Sequence, residues 1–281
     1  MSISVRHITH VSILSIAALL LAGCTAPGTE ESIEDICTDP MVLTCDTGIT
    51  QPIVIITDDA SDEDVTEFAD RLAVAASAQS ETVLLRAESD DSRVLDPEVA
   101  PLPRWEVTLE PGGSDQFTSD LAGTLAAAAV PGATRIVGAG GWHYVTVENL
   151  EQFEDVFTQV SSTPLFTHGG TYTLQSLEEH LRIVHVPSRT TDEAIIEIIQ
   201  IAREFPGAEV LLEAPTSGEQ YPTLYVSRLT PAQVQEVDAR LRDPRLADAD
   251  VDGYALEYVL GSLDADGTTY VGGTFGGVPT G

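Results

Sequence analysis

The chain has 281 residues, of which 45 are acidic and 13 basic, giving a formal charge of −32 and a pI near 4.1. All the basic residues are Arg, and the absence of Lys removes P-loop phosphate binding, Schiff-base chemistry and Ser-Lys dyads. The charge opposes nucleic acid and anionic lipid surfaces alike, while the 43% apolar content is enough for one or two cores and excludes wholesale disorder.

The N-terminus reads as an export address. Arg6 is followed by an apolar stretch, Val11 to Leu21, which is too short for a bilayer span of roughly 20 residues. It ends in Leu21-Ala22-Gly23-Cys24. A leucine, two small residues and a cysteine closing an apolar run resemble the lipobox of bacterial lipoproteins. The resemblance implies cleavage after Gly23, a diacylglycerol thioether on Cys24, and anchoring by acyl chains such as palmitate. The body would then stand on the extracytoplasmic face of the cell membrane. The composition, Arg without Lys and rich in Ala, Val, Asp and Thr, is similar to that of uncharacterised lipoproteins of high-GC bacteria and implies no activity.

Residues 24–51 read as the lipidated cysteine, an acidic tether without apolar period (25–36) and a disulfide loop. Export places Cys37 and Cys45 in an oxidising compartment, where a structural disulfide is expected. The alternative is a metal or redox pair, although seven intervening residues do not make a CxxC spacing.

Five segments carry helical period. The first is Ser61 to about Ala78, capped by Ser61, with Val65, Phe68, Leu72 and Ala75 on one face. The second is Ser114–Val130, with Ser114 read as the cap and Pro131-Gly132 as the stop. The third runs from Asn149 to Val160, with Gln152 completing a capping box. The fourth runs from Thr190 to Phe205, with Thr190 and Glu193 as a box. The fifth begins at Thr230-Pro231 with Gln233 at the third helical position. Between them lie β-rich runs at 52–57, 82–86, 105–109, 134–137, 144–147, 181–186, 209–212, 223–227, 253–260 and 268–275. Pro164–Leu174 is ambiguous, and its His168-Gly169-Gly170 looks like a hairpin tip.

An internal repeat orders these elements. Pro131-Gly132-Ala133-Thr134-Arg135-Ile136-Val137 matches Pro206-Gly207-Ala208-Glu209-Val210-Leu211-Leu212 in pattern. Each copy runs strand, helix, strand, strand, helix, strand. That order predicts an α+β fold of tandem ferredoxin-like (βαββαβ) units with an additional N-terminal βαβ unit. The expected organisation is a signal peptide (1–23), the tether and disulfide loop (24–51), an N-terminal βαβ unit and loop (52–103), a first ferredoxin-like unit (104–179) and a second with a C-terminal strand (180–281).

Most site patterns fail. There is no Gly-x-Ser-x-Gly elbow, so a nucleophilic hydrolase has no recognisable serine. Gly138-Ala139-Gly140-Gly141 begins like a dinucleotide fingerprint, but His143 stands at its last glycine and a strand follows where a helix should start. Six His occur without zinc-ligand spacing, and neither catalytic residues nor a cofactor are expected. Asp248, Asp250 and Asp252, followed by Gly253, reproduce the first half of a calcium loop, but Val259 stands where the bidentate Glu belongs. A solvated acidic turn is the plainer reading. Trp142, His143 and Tyr144 open a strand and, if exposed, form an aromatic contact site for a glycan or protein; packing is the competing role. The preferred function is a membrane-anchored, non-catalytic binding or scaffold module with an extracellular ligand or cell-envelope protein as partner. The rivals are an exported hydrolase with an unrecognised site and a calcium-responsive surface adhesin.

Overall fold

The computed structural model describes residues 31–48, 50–88, 103–138, 142–167, 170–178, 180–213, 222–249, 255–264 and 267–278. The strands are β1 (Val42–Asp46), β2 (Ile53–Ile56), β3 (Val83–Ala87), β4 (Trp105–Leu109), β5 (Ala133–Gly138), β6 (Trp142–Val147), β7 (Thr171–Ser176), β8 (Leu181–His185), β9 (Glu209–Glu213), β10 (Thr223–Leu229), β11 (Glu257–Asp264) and β12 (Gly267–Thr274). The helices are α1 (Ile33–Ile36), α2 (Asp62–Gln79), α3 (Ser114–Ala128), α4 (Phe153–Val160), α5 (Pro164–Thr167), α6 (Asp192–Glu204) and α7 (Pro231–Leu241). All of them belong to one compact unit.

The strands form one 12-stranded sheet whose spatial order is the chain order. Pairing alternates. β1/β2, β3/β4, β5/β6, β7/β8, β9/β10 and β11/β12 are antiparallel. β2/β3, β4/β5, β6/β7, β8/β9 and β10/β11 are parallel. Each parallel pair is joined by a helical crossover, as parallel strands require. The fold is thus α+β. The ferredoxin-like plan is not confirmed: it places another strand between the two parallel ones, whereas here the parallel partners are hydrogen-bonded neighbours.

Strict alternation along the strands sends one side-chain set to a core and the other to the opposite face. Val145, Leu174, Ile183, Leu212, Leu224 and Tyr258 lie in register across six strands, and all are buried. The helices cover this face. α2 touches α3, α3 packs on α5, and α4 touches α6. Arg203 of α6 donates to Glu151 and Glu154, and Arg240 of α7 donates to Glu197 and Glu204 of α6. One continuous helical row therefore lies on one face of a sheet whose parallel pairs alternate in direction. Geometry then requires successive crossovers to have opposite hand, so alternate units run against the usual right-handed preference.

Local chemistry explains most element boundaries. Ser61 Oγ accepts from Asp64 N–H at 3.2 Å, and Thr230 with Gln233 forms a complete capping box ahead of Pro231. Other expectations need correction. Ser114 is the first helical residue rather than the cap, a position taken by Gly113. Thr191 caps α6, while Thr190 is buried and its Oγ1 has no hydrogen-bond partner among the described residues. Asn149 caps a short 3-10 turn over Leu150–Gln152, without the box assigned to Gln152. The supposed tether contains α1, boxed by Ser32 and Asp35, with Ile33 and Ile36 in the core. β1 starts inside the disulfide loop and runs one residue past Cys45, where no strand was expected. Within Pro164–Leu174, Pro164–Thr167 forms α5 and Thr171 starts β7, which pairs parallel to β6 and so ends a crossover rather than a hairpin, while His168 and Gly169 of the expected tip lie outside the described residues.

Candidate functional site

The described helices pack on one face of the sheet, and the side chains of alternate strand positions form the other. Near its centre β6 contributes Trp142 and Tyr144, two positions apart and therefore on the same face. Their rings stack with centroids 6.2 Å apart and planes within 10°. The indole Nε1–H of Trp142 donates to Thr173 Oγ1 on β7 at 2.9 Å, a diagonal cross-strand reach. That bond fixes the indole and satisfies its one polar atom. Both aromatics are half-buried.

Registered rows extend the surface. Val137, Tyr144, Thr173 and Val184 form one row across β5 to β8. Thr146, Gln175, Arg182, Leu211, Tyr225 and Val259 form the next, from β6 to β11. Gln175 Nε2 donates to Thr146 Oγ1 at 3.4 Å, and Arg182 and Tyr225 are exposed. Thr146, Thr173 and Val184 are buried within these rows, so the groups that reach solvent beside the ring pair are the Gln175 amide and the Arg182 guanidinium. Thr173, Gln175, Arg182 and Tyr225 were not singled out from the sequence. Their common signal is strand phase: each alternates with a core residue. The relation between strands needs the register.

His143 does not belong to this surface. Strand alternation turns it inward, where it is 4% exposed and stacks on Tyr172 at 5.7 Å. Tyr172 and His185 are its partners in register on β7 and β8. Burial lowers the His143 pKa, opposed in part by the charge of Asp120 on α3, whose Oδ1 accepts from Gln116 Nε2 at 2.7 Å. Burial pushes His185 down to about 4; its ring meets Phe157 edge-on, and its Nε2 lies 3.7 Å from Asp192 Oδ1. Nδ1 of each His has no hydrogen-bond partner among the described residues. Two neutral imidazoles packed beneath the helical row serve as core groups there, not as surface acid or base.

The remaining sites have simpler fates. Cys37 and Cys45 form a disulfide, with Cα atoms 5.7 Å apart, joining the end of α1 to β1. Asp248 is exposed, while Asp250 and Asp252 lie outside the described residues. Among the described residues no group of three or more His, Cys, Asp or Glu is placed to hold a metal ion. Gly23 and Cys24 also lie outside the described residues, and no described helix is long and apolar enough to cross a membrane. A cleft of about 520 Å³ at the opposite end of β6 and β7 is lined by Glu148, Asn149, Gln152, Ser176, Glu178 and His180. Its Ser176 Oγ accepts from Leu181 N–H at 3.1 Å, a structural commitment. No family model, curated protein or solved structure matches the chain.

Proposed function

We propose that this protein is a lipid-anchored, extracytoplasmic binding module that takes a glycan on the second sheet face around Trp142 and Tyr144. The observation that carries the reading is the fixed, parallel aromatic pair beside the partly exposed Gln175 and the exposed Arg182. Sugar rings present apolar C–H faces for stacking and hydroxyls for polar side chains, and the aromatic pair with Gln175 and Arg182 supplies a partner for each. The strongly acidic chain disfavours polyanionic ligands, so neutral or cationic sugars fit best. The anchor rests on Leu21-Ala22-Gly23-Cys24, with lipid on Cys24. More than one acyl chain holds such a body stably, because each buried CH₂ contributes about 0.8 kcal/mol. We infer further that residues 104–179 and 180–281 are two copies of one βαββαβ segment, supported by the matching Pro-Gly starts ahead of β5 and β9.

Screening the domain on a glycan array identifies the ligand, and Trp142→Ala tests the surface. The chain has two Trp, and Trp105 is 4% exposed, so a ligand-induced change in emission reports Trp142. Loss of the aromatic platform weakens binding about tenfold, or some 1.4 kcal/mol. Binding that survives Trp142→Ala unchanged removes this face as the site. Cys24→Ala is expected to release the protein from membranes; unchanged fractionation and processing would remove the anchor.

A further inference from the structure

The two edges of the sheet are built differently. β1 is short, carries a register shift between Val42 and Thr44, is tied at Cys45 by the disulfide, and ends in Asp46. These features discourage pairing with another strand. β12 pairs with β11 over eight residues without a shift, and no strand flanks its other side among the described residues. The segment from Gly267 to Gly281 has no charged side chain, in a chain whose charge is −32.

The ladder phase shows which groups face outward. Phe275 N–H donates to Leu256 O at 2.9 Å, one step beyond the Glu257–Thr274 pair. Antiparallel pairs alternate between mutually bonded and non-bonded. Tyr258–Gly273, Leu260–Val271 and Ser262–Thr269 are therefore bonded within the sheet, and Thr268, Tyr270 and Gly272 direct N–H and C=O to the free side. All three are exposed, and Tyr270 is 70% exposed.

We propose that β12 is a homodimerisation edge on which two copies pair antiparallel about a two-fold axis at Tyr270. Tyr270 then faces the partner's Tyr270, and Thr268 faces the partner's Gly272. Every outward residue meets an outward residue, giving about six interchain hydrogen bonds. The occupant is a second copy because the edge is self-complementary and uncharged. Two strongly acidic molecules can approach there without opposing carboxylates on the contact strand, and a basic peptide finds no acid along it to recruit it. The pairing joins the second faces of both copies into one sheet surface, but it stands independently of what that face binds.

Sedimentation equilibrium of the purified full chain in density-matched detergent, over about 1–100 μM, tests the pairing. A dimer is expected. Gly272→Pro removes one outward N–H per copy and leaves the β11–β12 bonds intact, while Tyr270→Glu sets two like charges at the axis. Each is expected to raise the dimer dissociation constant about tenfold or more with an unchanged circular dichroism spectrum. A monomeric wild type across the range overturns the proposal, as does a dimer that either folded variant retains. If Gly272→Pro fails to fold, Tyr270→Glu decides alone.

Discussion

Acid should destabilise this protein through His185, and the effect can be isolated by one substitution. Burial lowers its folded-state pKa from the ordinary 6.5 to about 4. Between these values the unfolded chain binds a proton that the folded chain refuses. The stability that His185 contributes is therefore fully present above pH 6.5 and is lost as pH falls toward 4. At 1.36 kcal/mol per pKa unit, the loss amounts to about 3 kcal/mol. Burial of His143 acts in the same direction. Carboxyl groups ordinarily titrate near the lower end of this window, so a raw pH profile mixes several groups. His185→Phe keeps an aromatic ring against Phe157 and cannot titrate. Urea unfolding of both proteins at intervals from pH 7 to pH 4 should show wild type losing about 3 kcal/mol relative to the variant. Parallel profiles for the two proteins would refute the reasoning, because they would mean that His185 titrates alike in folded and unfolded chains.

Glu197 of α6 is 2% exposed and accepts from Arg240 Nε at 2.8 Å and from Arg245, tying α6 to α7 and the turn that follows. Glu197→Ala should cost about 2–4 kcal/mol, below the upper range for a buried pair because both arginines keep other acids, and an unchanged denaturation midpoint would contradict this. Gly123 lies inside α3, where Ala is ordinarily better by about 1 kcal/mol, but a Cβ there would stand 2.5 Å from Leu165 N. Gly123→Ala is thus expected to destabilise by about 1–3 kcal/mol, and a rise in Tm would show that α5 yields at no cost. Adjacent threonines should behave oppositely: Thr191→Ala loses the α6 cap at about 1 kcal/mol, whereas Thr190→Val replaces a buried, unsatisfied hydroxyl and should be neutral or stabilising by up to about 1 kcal/mol. Equal losses at both positions in thermal melts would erase the distinction between cap and core.

The sequence by itself determined the elements whose causes are local. The Thr230-Pro231-Gln233 start of α7, the Ser61 cap of α2, and the alternating runs of β3, β4 and β10 depend on residues a few positions apart. The Cys37–Cys45 link is local in the same sense. Even the repeated strand–helix–strand order was legible, because periodicity changes from two to 3.6 at each boundary. Tertiary structure alone decided which strands became neighbours. A helical crossover fixes that two strands run parallel, but not whether another strand lies between them, so local patterns fit a ferredoxin-like order as readily as the sequential one observed. It also chose Thr191 over Thr190, since both can cap and only packing shows which hydroxyl remains at the helix end. It divided Trp142-His143-Tyr144 between two faces: alternation separates the middle residue from its neighbours, but only the helical row identifies the inside. The aromatic surface follows from that last decision, because side chains distant in sequence become adjacent only when strand register aligns them.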